Sequence, residues 1–139
     1  MIDIDNQTDY NPKLEFLKTV LKSVTKKDIE LIITSNETIQ QINLEYRAID
    51  KPTDVLSFPY EDMPMIPLGS IVISMDYVES KANELGHSLD DEFALLFIHG
   101  LLHLLGYDHE VDKGEMRKEE ERLIHKFQLP KSLIVRTEE

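Results

Sequence analysis

The sequence contains no cysteine and no tryptophan, and only five of its 139 residues are glycine. Without cysteine the chain can form no disulfide and offers no thiolate to a metal ion, which suits a reducing compartment. No apolar run approaches the roughly 18 residues that a membrane-spanning helix needs, and the first residues lack the pattern of a signal peptide. We therefore expect a cytoplasmic protein with no membrane partner, folded as a single domain over residues 1–139.

Positive charge is also scarce, with 15 Lys and Arg against 27 Asp and Glu and a net charge of -12. Such a chain is poorly suited to a polyanionic partner, whose phosphates are usually attracted by a basic surface. The deficit is uneven, because residues 1–60 carry 7 basic against 10 acidic side chains and residues 61–139 carry 8 against 17. Any phosphate-binding surface is therefore expected from the first half of the chain.

Hydrophobic periodicity predicts short strands and helices in alternation. Strands are favoured at residues 1–6, 29–34, 55–58, 68–75 and 133–135. Helices are favoured at residues 12–24, 38–46 and 76–85, from Ser88 as a cap, and from Asp112 as a cap to about Phe127. The charged run at residues 117–122 is most simply a solvated face of that last helix. We expect an α+β fold in which a small mixed sheet of about four strands is covered by helices.

Three of the five histidines fall within one stretch of eleven residues, His99 to His109. Residues four apart lie on the same face of a helix, so His99 and His103 can bind one ion together. Gly106 can take the left-handed conformation that ends a helix, and the reversed chain can then bring His109 towards the same point. The plainer interpretation is an apolar helix whose histidines are only exposed or hydrogen-bonded.

Three neutral imidazoles with no thiolate suit Zn²⁺, with a fourth position left open. We expect one Zn²⁺ per chain, bound by His99, His103 and His109, and an open position favours catalysis. The remaining histidines, His87 and His125, are predicted not to be ligands.

The spacing H-x-x-x-H-x-x-G-x-x-H is that of the metzincin metalloproteases, except that Gly100 stands where they have glutamate. The full string HGLLHLLGYDH, with the segments 43–47 (NLEYR) and 52–59 (PTDVLSFP), closely resembles the YbeY family of metal-dependent endoribonucleases. The resemblance covers most of the chain. It departs at Ser70, where the family usually has aspartate.

This resemblance implies a zincin-like metal helix and zinc-dependent cleavage of single-stranded RNA. It further implies a role in ribosomal RNA maturation and ribosome quality control, with components of the small ribosomal subunit as partners. It places a functional arginine at Arg47, whose planar guanidinium can donate two hydrogen bonds to phosphate. The predicted catalytic residues are Arg47, His99, His103 and His109.

Composition and spacing alone reach only a zinc hydrolase, and two other classes stay open. A peptidase would share the metal spacing but would normally need the glutamate that Gly100 replaces. A non-catalytic ribosome-assembly factor would hold a structural zinc and fill its fourth position with Asp108 or Glu110. In the nuclease, Asp108 is instead a candidate for proton transfer or for orienting a histidine.

Overall fold

A computed structural model describes residues 1–108 and 110–130. His109 and the predicted strand at 133–135 lie outside the described residues. The elements are β1 (Ile2–Asn6), α1 (Leu14–Val24), β2 (Ile29–Thr34), α2 (Asn36–Arg47), β3 (Val55–Pro59), β4 (Gly69–Ser74), α3 (Met75–Leu85), α4 (Leu89–Leu104) and α5 (Glu115–Lys126). Within these residues, none of the helices is long and apolar enough to cross a membrane.

The four described strands form one mixed sheet in the order β1-β2-β4-β3. The first three are parallel neighbours, whereas β3 runs antiparallel to β4 at the edge of the sheet. Helices cover both faces, which confirms the expected mixed sheet of four strands covered by helices. The continuous apolar run of β4 is explained by its central place, since all six of its residues are buried.

The helix α4 is the centre of the larger core. Every residue from Glu92 to Leu102 is buried, because this stretch is apolar nearly all round and packs against the sheet and other helices. A smaller apolar cluster on the other face of the sheet joins Ile39 of α2 to Leu56 and Val72. The helix that carries two of the predicted ligands is therefore held by packing along most of its length.

Several predicted boundaries shift by a turn or less. The helix α2 begins at Asn36 rather than residue 38, because the Ser35 side chain accepts the Thr38 N–H and caps it. The helix α5 begins at Glu115, not directly after Asp112. The Asp112 carboxylate still accepts backbone N–H groups from the first turn, at residues 114 and 116.

One prediction about α5 is wrong at a single position. The run 117–122 was expected to be a solvated face, and most of it is exposed, but Glu120 within it is only 1% exposed. The helix turns this carboxylate inward towards α4, between the apolar residues Met116 and Leu123 that form its buried stripe. A charged residue is buried in this way when a specific partner compensates its lost hydration.

Candidate metal centre

The two histidines of α4 meet at their ring nitrogens. The helix starts at the Ser88 cap, whose hydroxyl accepts the Asp91 N–H, and continues unbroken through both histidine positions. His99 Nε2 and His103 Nε2 lie 3.2 Å apart, with the ring centroids 4.8 Å apart and the planes at 77°. This is the convergence that the i, i+4 spacing predicts.

The other nitrogen of each ring faces a hydrogen-bond acceptor. His99 Nδ1 lies 2.9 Å from a Glu120 carboxylate oxygen, and His103 Nδ1 lies 3.0 Å from the Tyr107 carbonyl oxygen. Because a carboxylate and a carbonyl only accept, each Nδ1 carries a proton, and in a neutral imidazole the Nε2 atom then presents a lone pair. Sequence reasoning missed Glu120, although helical spacing marked it: it lies four residues after Met116 and four before Ile124, on the buried stripe of α5.

The two facing Nε2 atoms fit a bound metal ion. Two lone pairs at 3.2 Å repel one another unless a cation or proton lies between them. Nitrogens bound tetrahedrally to Zn²⁺ at 2.0–2.1 Å are themselves about 3.3 Å apart. The described residues contain no group of three His, Asp or Glu placed to hold an ion, so a third ligand from this stretch rests on His109, which they do not include.

The chain reverses after α4 as the glycine predicted. Gly106 has a φ of +99°, in the left-handed region, and its N–H donates to the His103 carbonyl. The Tyr107 N–H then returns to the Leu102 carbonyl at 3.1 Å. This turn places the Tyr107 carbonyl against His103, so the glycine helps to orient a predicted ligand.

Gly100 packs closely against the sheet. A Cβ built there would lie 3.0 Å from both Ile71 Cγ2 and Ser57 Oγ and 3.3 Å from Val55 Cγ2. The Ser57 hydroxyl also donates to the Gly100 carbonyl at 3.1 Å. Any side chain at position 100 would therefore require the side chains of Ile71, Ser57 and Val55 to shift by a few tenths of an ångström.

A cleft of about 560 Å³ opens beside the two histidines. Its lining comes from the end of α2, from β3 and its approach, and from α4 and the turn that follows. The lining residues are Arg47, Asp54, Val55, Leu56, Ser57, Pro59, His99, His103, Gly106, Tyr107, Asp108 and Glu110. The structure therefore brings Arg47 to the same cavity as His99 and His103, although they are more than fifty residues apart in sequence.

Arg47 is exposed at the last residue of α2, where Ala48 takes a left-handed conformation with a φ of 58°. Its guanidinium forms no salt bridge with any residue that the structure describes. The cleft also carries the carboxylates of Asp54, Asp108 and Glu110, so its charged side chains leave two negative charges in excess. One divalent cation would cancel this excess, which matters for any anionic ligand.

The position at which the sequence departs from the family pattern faces away from the histidines. Ser70 lies between Gly69, which approaches Leu104 of α4, and Ile71, which approaches Gly100. Side chains alternate along a strand, so Ser70 faces the opposite side of the sheet. There it is buried beside Tyr60, whose pKa is raised mainly by burial and also by its hydrogen bond to Glu30. The substitution does not touch the histidine pair.

The two remaining histidines lie away from the cleft lining. His87 places Nε2 at 2.7 Å from a Glu92 carboxylate oxygen, at the beginning of α4. His125 is exposed near the end of α5. That neither of them is a ligand stays a prediction.

Comparison with known proteins then assigns the family. The family model described as "Endoribonuclease YbeY" matches residues 3–128. The chain belongs to the YbeY family. It is 62% identical over 138 residues to the endoribonuclease YbeY of Sulfurimonas denitrificans, with 99% of each chain covered. It is 59% identical over 139 residues to that of Nautilia profundicola, with both chains fully covered.

A solved structure shares the fold. The solution structure of TM1509 from Thermotoga maritima superposes with a TM-score of 0.65 at 31% sequence identity, covering 91% of this chain and 89% of that one. The resemblance inferred from HGLLHLLGYDH and the two upstream segments is confirmed at the level of the family.

Proposed function

We propose that this chain is a zinc-dependent endoribonuclease that cuts single-stranded regions of ribosomal RNA during ribosome maturation and quality control in the cytoplasm. Membership of a family of endoribonucleases supports the general activity, hydrolytic cleavage of RNA. The single structural observation that carries the proposal further is the shared cleft of Arg47 and the paired Nε2 atoms of His99 and His103. We also propose α4 as a zincin-like metal helix on that pair.

Each of these cleft residues has a separate role in the proposed reaction. His99 and His103, with His109, would hold one zinc ion, and Glu120 and the Tyr107 carbonyl fix the tautomer of the first two. When bound, the ion would supply Lewis acidity to a phosphate oxygen and to water. Arg47 donates two hydrogen bonds to the non-bridging phosphate oxygens, which gain negative charge in the transition state.

Proton transfer falls to a carboxylate of the cleft. The glutamate that a metzincin peptidase uses as its base is absent, because position 100 is glycine. Asp108 directly precedes His109 in sequence, and its Oδ1 accepts the Glu110 N–H at 3.0 Å. That bond fixes the carboxylate at the turn. The absence of the glutamate thus favours nuclease over peptidase chemistry.

The excess negative charge of the cleft makes the metal a condition for binding RNA. Three carboxylates against one guanidinium repel phosphate, and a divalent ion removes that repulsion at the site itself. This offers a physical account of how a chain with a net charge of -12 acts on a polyanion. RNA affinity should therefore fall sharply in the metal-free protein.

The decisive experiment is a cleavage assay with three substrates. Purified protein, stripped with chelator and then reconstituted with zinc, is given a labelled single-stranded RNA, the same RNA as a duplex, and casein. We expect cleavage of the single strand alone, lost in the stripped protein and in His103→Ala. Cleavage of casein would overturn the proposal in favour of a peptidase.

A structural role for zinc would give a different pattern. If Asp108 or Glu110 completed a closed site, chelation would unfold the protein and no RNA would be cut with the metal present. Circular dichroism of the stripped protein therefore accompanies the assay.

The ribosomal role is tested in cells that lack the chain. Unprocessed ribosomal RNA should accumulate there, and wild type, but not Arg47→Lys, should restore processing.

A further inference from the structure

The strand β3 forms an edge of the described sheet and lies along the cleft. Alternate residues Val55, Ser57 and Pro59 all contribute to the cleft lining. An edge strand presents unpaired backbone groups along its outer side, and such groups can bind a ligand. Which of these groups remain available to a ligand follows from the pairing with β4.

The pairing register shows which residues of β3 point outward. The Asp54 carbonyl accepts the Ser74 N–H at 3.0 Å, and the Tyr60 N–H donates to the Leu68 carbonyl at 3.0 Å. In an antiparallel pair the bonded residues alternate, so positions 54, 56, 58 and 60 bond to β4. The N–H and carbonyl groups of Val55, Ser57 and Pro59 therefore point away from the sheet.

Only one of these three positions offers a backbone donor. The Val55 N–H is already bound by the carboxylate of its neighbour Asp54, at 2.7 Å. Pro59 has no N–H. The Ser57 N–H is the remaining outward donor of the strand, and the register gives it no partner in β4.

The position of this donor relative to the histidines is fixed. The Ser57 hydroxyl donates to the Gly100 carbonyl at 3.1 Å, and Gly100 follows His99 directly in α4. The Ser57 side chain contacts the helix, and Ser57 is one of the residues that line the cleft. The amide therefore lies at the edge of the sheet beside the cavity that Arg47 and the histidine pair also line.

We propose that the Ser57 N–H donates a hydrogen bond to a non-bridging oxygen of the RNA phosphate at the cleavage site. The proposal rests on the function proposed above and adds a second donor to that of Arg47. A backbone amide on a rigid strand is already oriented, so it stabilises developing negative charge without reorganisation. The same arrangement disfavours an extended peptide, which needs donors and acceptors at every second residue of an edge strand.

The test compares Ser57→Pro with Ser57→Ala. Proline removes the N–H but no ladder bond, because this N–H points outward, and Leu56 before it already has the extended conformation that proline requires. Alanine removes only the hydroxyl bond to Gly100, which the proline variant also loses. We expect kcat on single-stranded RNA to fall by about 100-fold in Ser57→Pro relative to Ser57→Ala, at equal metal content.

Equal rates in the two variants would overturn the proposal. If wild type itself cut no RNA, the proposed function would fail instead, so the two failures are distinguishable. Because proline also adds a ring to the cleft wall, a second measurement uses wild type. In an amide ¹⁵N–¹H spectrum, bound 2′-O-methyl RNA should shift the Ser57 proton downfield and leave the Gly86 amide unmoved. An unchanged Ser57 signal with bound RNA would also refute the contact.

Discussion

The two ends of α4 carry similar histidine–glutamate pairs with different surroundings. At the beginning of the helix, His87 Nε2 lies 2.7 Å from Glu92, and at the end His99 Nδ1 lies 2.9 Å from Glu120. Both carboxylates are buried, at 0% and 1% exposure. The pair at the beginning spans five residues, whereas the pair at the end joins two helices across 21 residues.

The difference lies in the nitrogen that each carboxylate binds. The Glu120 carboxylate is hydrogen-bonded to Nδ1 of His99, so Nε2 of His99 faces the second histidine and the cleft. Glu92 takes Nε2 of His87, the nitrogen that would otherwise be used in the same way. We therefore expect a histidine–carboxylate pair to mark a metal ligand only where the other ring nitrogen faces a second donor.

The largest expected effect comes from removing a histidine at either end. His103→Ala should reduce bound zinc from about one ion per chain to nearly none, because two imidazoles no longer meet. His87→Ala should keep the ion. Metal analysis after zinc reconstitution checks both, with circular dichroism to show that α4 persists through its apolar packing. Loss of the ion in His87→Ala would contradict the assignment of zinc binding to the pair at the end of α4.

Replacement of Glu120 should change zinc affinity, whereas replacement of Glu92 should change only stability. Glu120→Gln is expected to weaken zinc binding by about 10- to 100-fold, because the amide no longer raises the basicity of His99. Glu92→Gln should leave zinc affinity unchanged and lower the free energy of unfolding by about 1–3 kcal/mol through its buried hydrogen bond. Competition with a chelator and urea unfolding measure the two quantities. Equal effects on zinc affinity would contradict the assignment of the site to one end.

The Arg47→Lys variant tests the role of the cleft near the end of α4. Arg47→Lys keeps the charge but loses the planar fork, so kcat should fall at least about tenfold, or roughly 1.4 kcal/mol, with KM little changed. Lys13, whose ammonium lies 3.4 Å from Asp90 near the beginning of α4, provides the matched control. Lys13→Ala should have wild-type turnover. Wild-type rates in Arg47→Lys would remove that residue from the mechanism.

Two glycines give a smaller and closely matched contrast. Gly86 before α4 and Gly106 after it have φ values of +73° and +99°, and a Cβ at either position would meet nothing within 4 Å. Valine at each should cost about 1–2 kcal/mol of stability through backbone strain. Only Gly106→Val should also weaken zinc binding, by displacing the turn against His103. Unchanged zinc affinity in that variant would show that the turn is not needed.

The smallest expected effect is a loss of stability at alkaline pH that involves Tyr10, which contacts the beginning of α4. Burial, and then the hydrogen bond to Asp90 and its negative charge, raise the pKa of Tyr10 above its ordinary 10.0. The protonated form is favoured in the folded state, so this stability is complete below pH 10 and is lost as the pH rises above it. Urea unfolding at pH 8 and pH 11 should show a smaller pH-dependent loss in Tyr10→Phe than in wild type, with equal zinc content.

Part of this molecule follows from local sequence alone. The i, i+4 spacing of His99 and His103, the Ser88 cap and the glycine at position 106 each act over one helical turn, so their geometry was predictable. The short strands were also predictable from β-branched runs, although their ends shifted with caps and turns. The family followed from motifs that lie within single segments, and it is confirmed.

Contacts between distant segments were decided only by the tertiary structure. Helical spacing places Glu120 on the buried stripe of α5 with Met116 and Ile124, but its pairing with His99 depends on how α5 packs against α4. Strand order brings Arg47 and the histidines to the same cleft, and strand register turns the Ser57 amide outward. No local sequence pattern encodes either. Local propensities act through one turn or one strand, whereas these contacts arise from the burial of apolar surfaces far apart in the chain.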